Sequence, residues 1–139
     1  MRAYVLVHSA LSGVQKGIQA AHCLVEMGRK NHAVFEEWAR KHKTLIVLEG
    51  GFHADLEEAV LVMEEHLGGL GEWPALLPWA AFREDEETMN GMLTAVGVVV
   101  PERIYGGPPV SEDGLIPFPG LSFPEAAVWG RMYGKPLAR

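Results

Sequence analysis

Residues 12–28 read SGVQKGIQAAHCLVEMG. Ser12 is a helix cap in sequence terms, because its hydroxyl can accept a backbone N–H that the first turn leaves unpaired. Val14, Ile18, Ala21 and Val25 recur at spacings of four, three and four, so they form one stripe, expected to be the buried one. Gln15, Gln19, His22 and Glu26 recur at the same spacings on an adjacent stripe, expected to be presented. Ala20 and Ala21 keep the helix slim enough for a strand or ligand to approach closely.

Outward from this helix the chain alternates strands and helices. Arg2 to His8 is rich in Val, Leu and Tyr and reads as a first, largely buried strand, joined to the helix by a turn over Ser9 to Gly13. Ala33 to His42 is a second short helix in which Phe35 and Trp38 share a buried side. Thr44 to Leu48 is a buried strand ending at Gly50-Gly51. Ala54 to Leu67 carries Leu56, Val60, Met63 and Leu67 at helical spacing and is stopped by Gly68, Gly69 and Gly71. Between Trp73 and Arg83 a strand over Leu76 to Phe82 is expected, at an edge or bulged because of Pro78. Glu84 to Asn90 is an acidic turn or short helix, and Met92 to Val100 is a strand apolar enough to be covered on both faces.

This order predicts an α/β fold, a mixed four-stranded sheet with helices on both faces. Strand–helix–strand steps give parallel neighbours, and the short last connection gives an antiparallel pair. From Pro101 onward the texture changes, with seven of the nine prolines in the last 39 residues. Apolar residues such as Ile104, Phe118, Trp129 and Met132 are too many for a solvated tail. An arm packed on the body or on a second subunit is expected, with a short helix near Pro124 to Tyr133.

The 139 residues suffice for one domain with a real core. No apolar run is long enough to cross a bilayer, so no membrane role is expected. Cys23 is the sole cysteine, which excludes an internal disulfide, and the N-terminus lacks the long apolar stretch of a secretory signal. Both fit a cytoplasmic protein. The net charge of −6 is unevenly spread: +4 over residues 1–43, −11 over 44–102 and +1 over 103–139. The overall acidity argues against nonspecific nucleic-acid affinity. The basic first third still offers Lys16, Arg29, Lys30, Arg40, Lys41 and Lys43 as phosphate contacts.

His22 is the leading functional imidazole, flanked at helical spacing by Gln19 and Glu26. Cys23 lies in an apolar helix and reads as buried rather than nucleophilic. The six histidines show no paired-ligand spacing, so no metal or other cofactor is expected. No phosphate loop, dinucleotide fingerprint or nucleophile elbow is present.

The order of these pieces resembles the type-2 peptidyl-tRNA hydrolase superfamily. The residues that carry the resemblance are AYVLV at 3–7, Gln19-x-x-His22, FRE at 82–84 and LTAV at 93–96. They cover about residues 1–101 and leave 102–139 as an extension. The resemblance implies metal-free hydrolysis of the ester joining a peptide to tRNA, often by a homodimer. Gln19 and His22 match the family's helix motif, Glu84 stands near a family aspartate with Thr88 four residues on, and Thr94 matches a threonine of the last strand. The family's helix lysine falls at Gln15, with Lys16 one residue away. On this basis Glu84 or His22 is the expected base toward water, with Gln19, Thr88 and Lys16 as donors or orienters. Gln15, Thr94, Arg29 and Lys30 are the expected substrate contacts, the last two along a tRNA backbone. Two alternatives stand beside this: a non-catalytic module that dimerises through its arm, and a hydrolase of another ester or amide.

Overall fold

A computed structural model describes residues 1–70 and 74–139, with the side chains of Thr88 and Met89 left aside. Gly71 and Trp73, read above as a helix stop and the start of a strand region, lie outside the described residues. The elements run β1 (Arg2–Val7), α1 (Gly13–Gly28), α2 (Ala33–Glu37), β2 (Leu45–Glu49), α3 (His53–Leu67), β3 (Trp79–Arg83), α4 (Glu86–Met89), β4 (Leu93–Val100), α5 (Glu102–Tyr105) and α6 (Phe123–Met132). After α2 the chain continues through a π-helical turn, Trp38–His42, that Lys43 closes in a left-handed conformation.

The sheet order is β2-β1-β4-β3. β1 and β2 are parallel, and β4 is antiparallel to both β1 and β3. The fold is therefore α/β with a mixed four-stranded sheet. β3 does not neighbour β2, as a simple strand–helix–strand step would have it; α3 carries the chain to the opposite edge. All eight residues of β4 are buried. β3 is an edge strand, but Pro78 only delays its start. The irregularity lies at its other end, between Phe82 and Arg83.

One face of the sheet packs against α1 and α2. Ala3, Val5, Val7, Ala80, Ala95 and Val99 meet Ala20, Cys23, Met27 and Trp38 there. Phe35 and Trp38 do share that side, with ring centroids 5.5 Å apart. The other face packs against α3, α5 and α6, where Tyr4, Leu6, Leu48 and Val98 meet Leu56, Met63, Ile104 and Trp129. Leu56, Val60, Met63 and Leu67 of α3 are all buried, as their spacing requires. Gly68 ends this helix at a φ of 72°, which a residue with a Cβ adopts only under strain.

The C-terminal segment lies on that second face. Trp129 meets Tyr4 edge to face at 5.0 Å, and Val128 and Met132 are buried beside it. Ser122 and Glu125 form a capping box at the start of α6. The Arg103 guanidinium, with Ser122 assisting, holds the Glu125 carboxyl down at about 2 and ties α5 to α6.

α1 corrects the sequence reading. Ser12 caps it as expected, with Gln15 completing a capping box. The buried stripe, however, is Lys16, Gln19, Ala20, Cys23 and Met27. Val14, Ile18 and Val25 are 77%, 47% and 63% exposed, and Ala21 is exposed too. Cys23 lies nine residues from Val14, about 180° around the helix, so the two stripes are back to back. At the middle of the buried stripe Ala20 and Cys23 are small, and the sheet beneath them is built for close approach. A Cβ added at Gly97 would stand 3.0 Å from Val5 Cγ2, 3.1 Å from Cys23 Sγ and 3.3 Å from Met27 Cε. Burial of Lys16 and Gln19 is compensated by polar partners at the carboxyl end of the sheet.

Candidate functional site

The carboxyl ends of β1, β2 and β3 and the start of β4 meet at one end of the sheet. α1 leaves from that end, so its first turns lie over it. Gln19 is there, 6% exposed. Its Nε2 donates to Glu84 Oε1 at 2.6 Å, and its Oε1 accepts from Thr94 Oγ1 at 2.8 Å. These two bonds fix the amide: a flipped Gln19 would set oxygen against carboxylate. Thr94 is fully buried. It is the unmatched residue of the β3–β4 irregularity, since Phe82 pairs with Ala95 and Arg83 with Leu93. The bulge turns its hydroxyl toward α1, which strict alternation would not do for both Thr94 and Ala95.

Glu84 follows β3 directly and is pinned by its own N–H, which donates to the Met92 carbonyl at 2.9 Å. Its side chain is 16% exposed. His22, one turn beyond Gln19, places Nδ1 4.0 Å from Glu84 Oε1, beyond hydrogen-bond length but within ion-pair range. The His22 ring rests against Phe82 with centroids 4.7 Å apart. Gln19, His22, Glu84 and Thr94 thus form one constellation. It combines a largely covered carboxylate, an adjacent imidazole that is half exposed, and a locked amide. Such a carboxylate can accept a proton from water, and the neighbouring groups can orient what binds.

The other expected site residues lie elsewhere. Lys16 is buried and turned toward β2, where its Nζ donates to Glu49 Oε1 at 2.7 Å and to the Arg139 carbonyl at 3.2 Å. Gln15 is exposed and spends its side chain on the Ser12 N–H. Arg29 pairs with Glu26 on the surface at the far end of α1. Lys30 donates to the Trp79 carbonyl at 2.9 Å, and its Nζ lies 4.5 Å from the Trp79 ring centroid. Partial burial lowers its ammonium from the usual range. Arg29 and Lys30 stand about 15 Å along the helix axis from Gln19. The Thr88 side chain lies outside the described residues. Cys23 is buried, its Sγ donates to the Ala80 carbonyl at 3.3 Å, and burial pushes its thiol up to about 12, which makes it inert.

Two polar residues escaped the sequence reading. Glu49 ends β2 and gathers Lys16, Ser9 Oγ at 2.7 Å and the Arg139 N–H at 3.1 Å. Lys16, followed by Ser9, holds its carboxyl below the usual range. Its signal was an acid at the carboxyl end of an apolar strand. His8 is buried at the end of β1, and its Nδ1 accepts the Ala10 N–H at 3.1 Å. Burial, with His53 assisting, lowers its pKa from the usual imidazole range. Nothing in its sequence neighbourhood marks it.

Among the described residues no three His, Cys, Asp or Glu side chains converge as a metal site, and no helix is long and apolar enough to cross a membrane. Compared with known proteins, the chain matches no family model and no curated sequence.

Proposed function

We propose that the chain is an ester hydrolase acting on peptidyl-tRNA, with Glu84 as the base toward water. What supports this reading is one observation: Gln19 bonds both Glu84 and Thr94, residues 65 and 75 positions away, and all three are motif positions of the resemblance. Gln19 and Thr94 act as positioning groups, and His22 borders the carboxylate on its open side. The ester carbonyl would sit between Glu84 and His22, with water delivered from the carboxylate. Arg29, Lys30, Lys41 and Lys43 would follow the tRNA backbone at a distance from the chemistry. A homodimer belongs to the same reading.

The reading is tested by turnover of peptidyl-tRNA by the purified chain without added metal. Release of free tRNA is expected, together with a KM that rises steeply with salt, because each phosphate contact contributes about 0.7–0.9 to the log–log salt slope. No turnover at micromolar enzyme would sink it.

One observation favours a non-catalytic module instead. Lys16, the only lysine near the constellation in sequence, is engaged by Glu49 rather than directed at Glu84. In that reading tRNA or a peptide is bound and never cleaved.

A further inference from the structure

β2 is one edge of the sheet. An edge presents unpaired N–H and C=O groups, a template for any extended chain. Here residues 136–138 cover it. The Glu49 N–H donates to the Pro136 carbonyl at 2.9 Å, and the Ala138 N–H donates to the Val47 carbonyl at 2.9 Å. Leu137 sits opposite Leu48 in an antiparallel bridge. Arg139 completes the contact: its N–H donates to Glu49 Oε1 at 3.1 Å, and its carbonyl accepts from Lys16 Nζ at 3.2 Å.

Side chains add little to this grip. Leu137 is 66% exposed, Pro136 and Arg139 are exposed, and only Ala138 is half-buried. The segment is held by its main chain, so the holding groups are indifferent to most side chains. That is the signature of strand addition, in which backbone pairing supplies affinity and one or two small pockets supply preference. Lys16 and Glu49 are the fixed polar end of the groove, and both are in place on the body.

We propose that the β2 edge and the Lys16–Glu49 pair form a docking site for an extended peptide, which residues 136–139 occupy from within the chain. The ligand is a peptide strand that pairs antiparallel to β2, carries a small side chain at the Ala138 position and sets a carbonyl oxygen on Lys16. Lys16 lies one helical turn before Gln19 but is turned toward β2, at the sheet edge opposite β3 and Glu84, so this docking site is separate from the Gln19–Glu84 constellation. The inference rests on the pairing geometry alone and does not require hydrolysis.

Hydrogen exchange on the full-length protein gives the first readout. The Glu49 amide is held by the segment, whereas Val5 lies in the central strand β1. Exchange at Glu49 at least about tenfold faster than at Val5 is expected, because the segment opens without global unfolding. Equal rates would overturn the proposal. The second readout is binding of the fluorophore-labelled peptide GKPLAR, residues 134–139, to full-length Ala138→Pro, which lacks the donor to Val47. Binding at least about tenfold tighter than to the wild type is expected, since the tethered copy no longer competes at high effective concentration. No binding at millimolar peptide would overturn the proposal. The wild type supplies the same answer without a variant. A spin-labelled copy of the peptide in excess should broaden the Glu49 amide resonance, and an unaffected resonance would overturn the site.

Discussion

Replacing Glu84 by Gln should leave the protein folded and lower peptidyl-tRNA turnover by about 10²–10⁴-fold. The substitution keeps the shape of the side chain and keeps an oxygen for Gln19 Nε2 to bond. It removes the proton acceptor. Loss of the charge-assisted part of the Gln19 bond costs about 1 kcal/mol, so the melting temperature moves by only a few degrees. Thr94→Val should show the opposite balance. It leaves Gln19 Oε1 without its buried donor, at a cost of about 1–3 kcal/mol, and loosens the amide without touching the carboxylate. Turnover by Glu84→Gln equal to the wild type, with circular dichroism unchanged, would remove Glu84 as the base.

The second large effect concerns the packing of α1. Gly97→Val should destabilise the protein by about 3 kcal/mol, a drop of about 10 °C in Tm. The added Cβ alone meets Val5, Cys23 and Met27 at 3.0–3.3 Å, and the two γ carbons have no free space between strand and helix. Ile18→Glu, by contrast, should change stability by no more than about 0.5 kcal/mol, because Ile18 lies on the solvent side. The spacing of α1 on its own predicts the reverse, that Ile18→Glu buries a charge and is ruinous. Thermal unfolding of the two variants side by side separates the two orientations.

That contrast marks where the sequence is and is not legible. The strands and helices of the sheet follow from periodicity, β-branched runs and glycine stops, and α3 and β4 sit where their patterns put them. The orientation of α1 does not follow, because the helix carries two apolar stripes. Val14, Ile18 and Val25 are the β-branched set, and hydropathy favours them. The sheet instead takes Ala20, Cys23 and Met27, which pack over Ala80 and Ala95 and close directly on Gly97. The same rotation buries Lys16 and also Gln19, which the polar stripe marks for presentation.

The candidate site divides along similar lines. Gln19, His22, Glu84 and Thr94 were identifiable from motif order, and they converge. The device that aims Thr94, a bulge at the Arg83 end of β3, has no signature in the residues themselves. Lys16 was readable as a cation near the helix start but not as the partner of Glu49, because that pairing depends on how β2 lies beside β1. Arg29 and Lys30 are expected contacts because of their charge and the resemblance to a tRNA-acting family, and neither carries information about which end of the helix faces the carboxylate.

Gln19 is the hinge of the account, since it ties the first helix both to the acidic turn and to the last strand. The direct measurement is the side-chain amide NMR signal of Gln19 in the wild type and in Glu84→Gln. A carboxylate 2.6 Å from Nε2 predicts a downfield, exchange-protected amide proton that moves back toward the ordinary glutamine position in the variant. A Gln19 side-chain signal at the free-glutamine position, rapidly exchanging and unchanged by Glu84→Gln, would contradict it.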